Sequence, residues 1–379
     1  MNRTLPTLAL MSLLFSGTAP VHATPDTVGH VEDVARFDGA MPTGVTVAPD
    51  GRTFVNFPRW GDDVPFTVAE LRDGKAVPYP DATMNRPDDK RPAETLLSVQ
   101  SVVADARGRL WILDTASPGF KTRQSGGAKL VAVDLATDKV VRTIVLPDDV
   151  ALPTTYLNDV RFDLRGGEGV AYITDSSVSG PGGIIVVDLA TGQARRRLSG
   201  HASTAPEPNF VPRIEGQDIK NRTPDGKETP LRVSCDGIAL SADGATLYYC
   251  PLSSRHLYAV PTAALRDPDL SEADLAARVV DLGEKGASDG LEADDRGRVY
   301  AGDYENNAIR RREDGRWTTI AQGPELLWPD TLSIGTDRFL YFIANQLHRQ
   351  AGFHGGVDRR HKPYHLYRVK IDAGPVHLK

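Results

Sequence analysis

Two cysteines in 379 residues exclude a scaffold stapled by several disulfides. Positive charge is also in short supply. Forty-four Lys and Arg stand against 50 Asp and Glu, a formal net charge of −6, so no basic stripe is available for nucleic acid or an anionic membrane. The clusters Arg195–Arg197 and Arg310–Arg312 lie in strand-like or acidic sequence and read as solvated strand faces. Beyond the N-terminus no apolar run is long enough to insert in a bilayer. G-x-S-x-G, H-E-x-x-H and a phosphate-binding glycine loop are all missing, which leaves serine hydrolase and nucleotide-dependent chemistry unsupported. Helical periodicity is nearly absent too, apart from a short stretch at Glu272 to Ala277.

What is present begins with a targeting segment. Arg3 supplies a positive start, Leu5 to Phe15 an apolar core, and Val21-His22-Ala23 a small-residue cleavage site. Residues 1–23 are therefore predicted to be a signal peptide cleaved near Ala23. The mature chain, 24–379, is expected to be one domain that is secreted or periplasmic. Cys235 and Cys250 flank a hairpin turning near Asp243-Gly244. In an oxidising compartment that placement admits a cross-strand disulfide, with two buried free thiols as the alternative.

Internal repeats dominate the rest. PTGVTVAPDGRTFVNF from Pro42, VQSVVADARGRLWILD from Val99 and LNDVRFDLRGGEGVAYITD from Leu157 share one pattern with CDGIALSADGATLYYC, SDGLEADDRGRVYAGD and PDTLSIGTDRFLYFIAN. Each is a short strand, a turn rich in Asp and Gly, and a second strand rich in aromatic and β-branched residues. Further strands follow most of them, as in KLVAVDLATDKVVRTIVL and GIIVVDLATGQARRRLSG. Six four-stranded antiparallel units predict an all-β fold, a six-bladed β-propeller. The strand from Val28 to Phe37 has no blade of its own and is expected to close the ring. The Pro- and charge-rich stretch 199–233 is expected to be an insertion over one face.

Aligned on their turns, the hairpins place Thr43, Gln100, Asn158, Asp236, Asp289 and Asp330 in one register. The innermost strand of each blade lines a propeller's channel, so these polar groups should gather at one mouth. Crowded carboxylates repel unless a cation lies among them, and an oxygen-rich ring suits a hard cation such as calcium. The other reading is that these Asp and Asn residues cap turns.

LNDVRFD, AYITDSS, GGIIVVDL, GIALSADGATLYYCPLSSRHLYAV and WPDTL occur in an order that resembles the yellow/major royal jelly protein family, over roughly Val99 to Tyr367. LNDV, CDGIALS and SDGLEAD are more distantly similar to gluconolactonase/regucalcin-type propellers. That second resemblance implies a divalent cation site at Asp289, Asp236 and Asn158, with Asn158 matching the substrate-contacting Asn and Asp289 as a candidate catalytic base. It also implies a first-blade Glu, where this chain has Thr43. The first resemblance implies a ligand-binding protein, with dopachrome-converting relatives, and ligand contacts from the last blade at Thr331 and Asn345. Asp236, Asp289 and Asp330 would supply acid for an aromatic amine, with Tyr156 or Trp328 as walls or, for Trp328, packing between blades. Three function classes follow: a binder of a small polar or aromatic molecule with tautomerase-like activity, a metal-dependent lactone hydrolase, and a non-catalytic interaction scaffold. His348, His354, His361 and His365 crowd the tail, where Pro363 breaks the helix that would pair the last two.

Overall fold

The computed structural model describes Met1 and residues 28–379. The predicted signal peptide and its cleavage point fall outside the described residues.

Six four-stranded antiparallel sheets form a β-propeller. The innermost strands are Gly44–Val47, Val99–Ala104, Leu157–Asp163, Cys235–Leu240, Ser288–Ala293 and Pro329–Ile334. Each contacts the next and the last contacts the first, so they ring a common axis. Five blades are simple meanders. The sixth takes its outer strand from the opposite end of the chain, because Val31–Phe37 pairs with Tyr364–Lys370. The closing strand expected from sequence is thus where the ring is sealed. Phe37 joins Val45, Val55, Ile343 and Tyr364 in one apolar cluster across the seam. The other clusters likewise lie between blades, as where Trp111 and Leu130 meet Val160 and Ile173.

The Asp-Gly turns work because glycine enters the left-handed region without a Cβ penalty. Gly51, Gly108, Gly244 and Gly297 all have positive φ there. In the last hairpin Arg338 takes that position, at φ 61°. The short helix read from the sequence is Glu272–Ala276, capped by the Ser271 hydroxyl accepting from the Asp274 backbone N–H at 3.1 Å. A second helix, Thr262–Arg266, precedes it.

Between blades 3 and 4 the chain forms two small ribbons, Arg213–Ile214 with Gln217–Asp218 and Lys220–Arg222 with Glu228–Pro230. Glu215, at the tip of the first, pairs with Arg349 and with Nε2 of buried His348, the latter at 2.9 Å.

The cysteines depart from expectation by one residue. Cys235 is paired with Pro251 rather than Cys250, and side chains alternate along a strand. Cys235 therefore packs with Tyr172, Ile184 and Leu198, while Cys250 packs with Leu257 and Leu291 on the other face. Both are buried free thiols.

Candidate functional site

Bulges aim the polar register at the channel. The pairing of inner to second strand is interrupted between Val99 and Ser101, Leu157 and Val160, Cys235 and Ile238, Ser288 and Leu291, and Pro329 and Leu332. Each gap begins with a residue of the register: Gln100, Asn158, Asp236, Asp289 and Asp330, the last four each followed by a second unpaired residue. A bulge bends the strand and redirects a side chain, and here it recurs at the same register position in five of the six blades. Blade 1 is the exception: Gly44 to Val47 pair continuously with Thr53 to Asn56. Thr43 accordingly does not reach the cavity. It is fully buried, its Oγ1 accepting from Asn56 Nδ2 at 2.9 Å.

Glycine after the acid lets the blades crowd. A Cβ on Gly237 would lie 2.4 Å from the Asp289 carbonyl oxygen, and one on Gly290 would lie 2.5 Å from that of Asp330. The Asp-Gly pairs of blades 4 and 5 thus combine a channel-facing acid with a backbone approach only glycine permits.

The result is a cavity of about 580 Å³, within the usual range for small-molecule sites. Its floor is Gln100, Asn158, Asp236, Asp289 and Asp330, each buried to more than nine-tenths. Asn158 Nδ2 donates to Asp236 Oδ1 at 2.5 Å and Trp328 Nε1 donates to Asp289 Oδ2 at 2.8 Å. Asn345 Nδ2 donates to Asp330 Oδ2 at 2.6 Å and to the Pro42 carbonyl at 3.1 Å. Burial first, then the neighbouring Asp289, pushes Asp236 well above the carboxylate range. Burial also raises Asp289, to about 6 against the pull of the Trp328 hydrogen bond. Asp330 goes up for the same first reason, with Asp289 adding to it.

One wall is aromatic. Trp60 stacks on Phe120 with centroids 5.0 Å apart, and Phe120 on Tyr156 at 4.3 Å. Trp60 Nε1 donates to the Tyr156 hydroxyl at 2.7 Å, which donates to Gln100 Oε1 at 3.1 Å. The roof comes from the inserted segment, Thr229 to Val233, and from the blade-6 loop at Leu347, Gln350 and Phe353. A buried arginine also crosses between blades. Arg161 bridges Asp159 at 3.0 Å and the Leu291 carbonyl at 2.7 Å, reaching from blade 3 to blade 5.

The predicted residues therefore separate into two groups. Gln100, Asn158, Asp236, Asp289, Asp330 and Tyr156 converge on the cavity, while Thr43, Thr331 and Asn345 do not line it. Thr331 contacts Asp330 at 3.4 Å and Asn345 holds it from behind. Trp328 is no wall: it is fully buried against Tyr304, with centroids 4.1 Å apart, and orients Asp289. Sequence reasoning missed Trp60, Phe120, Phe353 and Arg232. The only signal was an aromatic inside a Pro- and Gly-containing loop (FPRWGDD), which reads equally as turn packing. Of the tail histidines, His348 stacks on Trp328 and contacts Glu215, whereas His365 lies in the strand Tyr364–Lys370. Among the described residues no group of three or more His, Cys, Asp or Glu is placed to hold a metal ion.

Comparison with known proteins follows the same outline. The family model described as "Major royal jelly protein" matches residues 97–373. Protein yellow of Drosophila erecta is 29% identical over 247 residues, covering 62% of this chain and 43% of that protein. Protein yellow of Drosophila melanogaster is 29% identical over 246 residues, with the same shares. The chain thus spans less than half the length of these curated relatives. Among solved structures, the calcium-binding protein regucalcin of Agrobacterium tumefaciens superposes with a TM-score of 0.55 at 15% identity, over 91% of this chain and 96% of that one. Luciferin-regenerating enzyme gives 0.55 at 13% identity, over 93% and 100%. At such identities the likeness speaks for the fold alone. The match to the family model runs through well over half of the sequence, and this chain belongs to the major royal jelly protein family.

Proposed function

We propose that this protein is an exported member of its family that binds a small polar or aromatic molecule at the channel mouth, foremost a cationic aromatic amine. The observation that carries the reading is one cavity in which three buried carboxylates lie beneath the aromatic wall of Trp60, Phe120 and Tyr156. An arriving ammonium favours the ionised form of these acids and offsets the repulsion this creates, and a ring has faces to stack on. Tyramine is expected to raise the melting temperature, while 4-ethylphenol, the same ring without the ammonium, is not. Asp330→Asn should weaken tyramine about tenfold or more, since a charge-assisted hydrogen bond is worth roughly 1.5–3 kcal/mol. Asp243→Asn, in a hairpin turn where the Asp accepts from Ser241 at 2.6 Å, should leave binding unchanged. Equal losses from both substitutions would refute the site.

A tautomerase-like step belongs to this reading. It moves one proton from carbon to a heteroatom with no net change of oxidation state. Asp289 faces the cavity with its acidity shifted toward neutral pH, which suits proton transfer. Acceleration of dopachrome rearrangement by the purified protein, abolished in Asp289→Asn, is the expected result.

A resident calcium ion is the second reading, favoured by the convergence of Asp236, Asp289 and Asn158. The fit is incomplete, because calcium takes six to eight oxygens and Asn158 turns its amide nitrogen toward Asp236. Unchanged melting in both calcium and EDTA would reject it. Lactone hydrolysis has less support, since Thr43 stands where that chemistry calls for a Glu and is buried off the cavity. A scaffold role is left if neither ligand class binds. Export is tested by the N-terminal sequence of the mature protein, expected to start near Thr24.

A further inference from the structure

The roof of the cavity carries a charge opposite to that of its floor. Among the described residues lining it, Arg232 is the cation, contributed by the inserted segment above the acids. It is exposed at its own position, and no ion pair within the described residues occupies its guanidinium. Other polar residues of the floor also keep capacity unspent. Gln100 is 6% exposed and accepts through Oε1 from Tyr156, while its amide nitrogen has no acceptor among the described residues. Asn158, 8% exposed, donates to Asp236 but receives no hydrogen bond at Oδ1 there. Both residues line the cavity, so these atoms are open to hydrogen bonds from a group that enters it. The cavity therefore combines carboxylates, an aromatic wall and a guanidinium in one lining.

We propose that the ligand is a zwitterion, an aromatic α-amino acid, whose ammonium meets the carboxylate floor and whose carboxylate meets Arg232. This deepens the amine-binding reading and rests on it. A guanidinium pairs with a carboxylate through two parallel N–H···O bonds, so it selects a planar anion over a bare methylene. An amine lacking the carboxylate leaves Arg232 in solvent and gains nothing from it. Three separate anchors also fix the handedness of the α-carbon. The inserted segment becomes the specificity element, since it brings the guanidinium to a pocket whose remaining polar lining comes mostly from the ring of blades.

Calorimetric titration of the full chain with L-tyrosine, D-tyrosine and tyramine tests this. These share ring and ammonium and differ in the carboxylate or its direction. L-Tyrosine is expected to bind about tenfold more tightly than tyramine, and D-tyrosine more weakly than the L form. Arg232→Gln, at an exposed side chain, should abolish the preference for L-tyrosine over tyramine. Tyramine binding as tightly as L-tyrosine in the native protein would overturn the proposal while sparing the amine site. So would a loss in Arg232→Gln that is equal for both. Binding of neither compound would overturn both readings together.

Discussion

Asp330 carries a cost that its neighbours only partly offset. Its carboxyl is buried, the Asn345 amide at 2.6 Å is its shortest donor with the Thr331 hydroxyl farther off at 3.4 Å, and the charge of Asp289 works against it. An unfolded chain releases this proton near pH 4. In the folded protein the raised value holds the proton longer, so the stability conferred by the neutral form is complete below about pH 4 and is lost as pH rises through the folded value. Asp330→Asn keeps an acceptor for Asn345 and removes the ionisation. It should raise the melting temperature at pH 8 clearly more than at pH 5, by the equivalent of about 1–3 kcal/mol, while weakening the amine. Equal gains at both pH values would mean that the carboxylate is solvated. The polar residues of the cavity were legible at this scale because three acids and two amides recur at one point of a repeated phrase. Trp60, Phe120 and Arg232 were not, since loop residues carry no repeat against which to align them.

At the scale of the element, the bulge and the glycine decide the site. The inner-strand bulges turn a channel-lining position toward the mouth, and Gly290 lets blade 5 approach blade 6. Gly290→Ala forces a Cβ against the Asp330 carbonyl and is expected to cost about 1–3 kcal/mol and to weaken ligand binding; thermal melting and titration check both. Arg338 at φ 61° stores strain where other hairpins use glycine. Arg338→Gly should gain roughly 0.5–1 kcal/mol, the difference between left-handed strain and the chain entropy of glycine. The inserted ribbons are expected to respond to pH. Glu215 is held down to about 2, by His348 first and then Arg349. Burial lowers His348 from its usual value, against the pull of Glu215. The His348 contribution begins to be lost as pH falls below about 6.5, where the unfolded chain takes up a proton the buried ring resists. That of Glu215 is lost between about 4.5 and about 2. Proteolysis within 213–230 should therefore quicken on acidification, and in Glu215→Gln it should be fast already at neutral pH.

For the whole molecule, closure is the cooperative event. Val31–Phe37 turns a three-stranded last blade into a full one, and Ala35 and Phe37 fill the seam beside Val45 and Tyr364. Removing residues 28–37 exposes the edge of Tyr364–Lys370 and opens the ring. The truncated protein is expected to lose its sharp melting transition and to aggregate. The sequence by itself determined the blade count, the closing strand and the acidic register, because each is written in a local period that strand alternation and turn chemistry impose. Only the tertiary structure decided which members of that register share a cavity, that the cysteines face opposite sides, and that Arg232 lines the same cavity as the acids. Those outcomes depend on bulges and on the path of one insertion, and each is set by which strands and loops meet across the axis rather than by the order of residues along them.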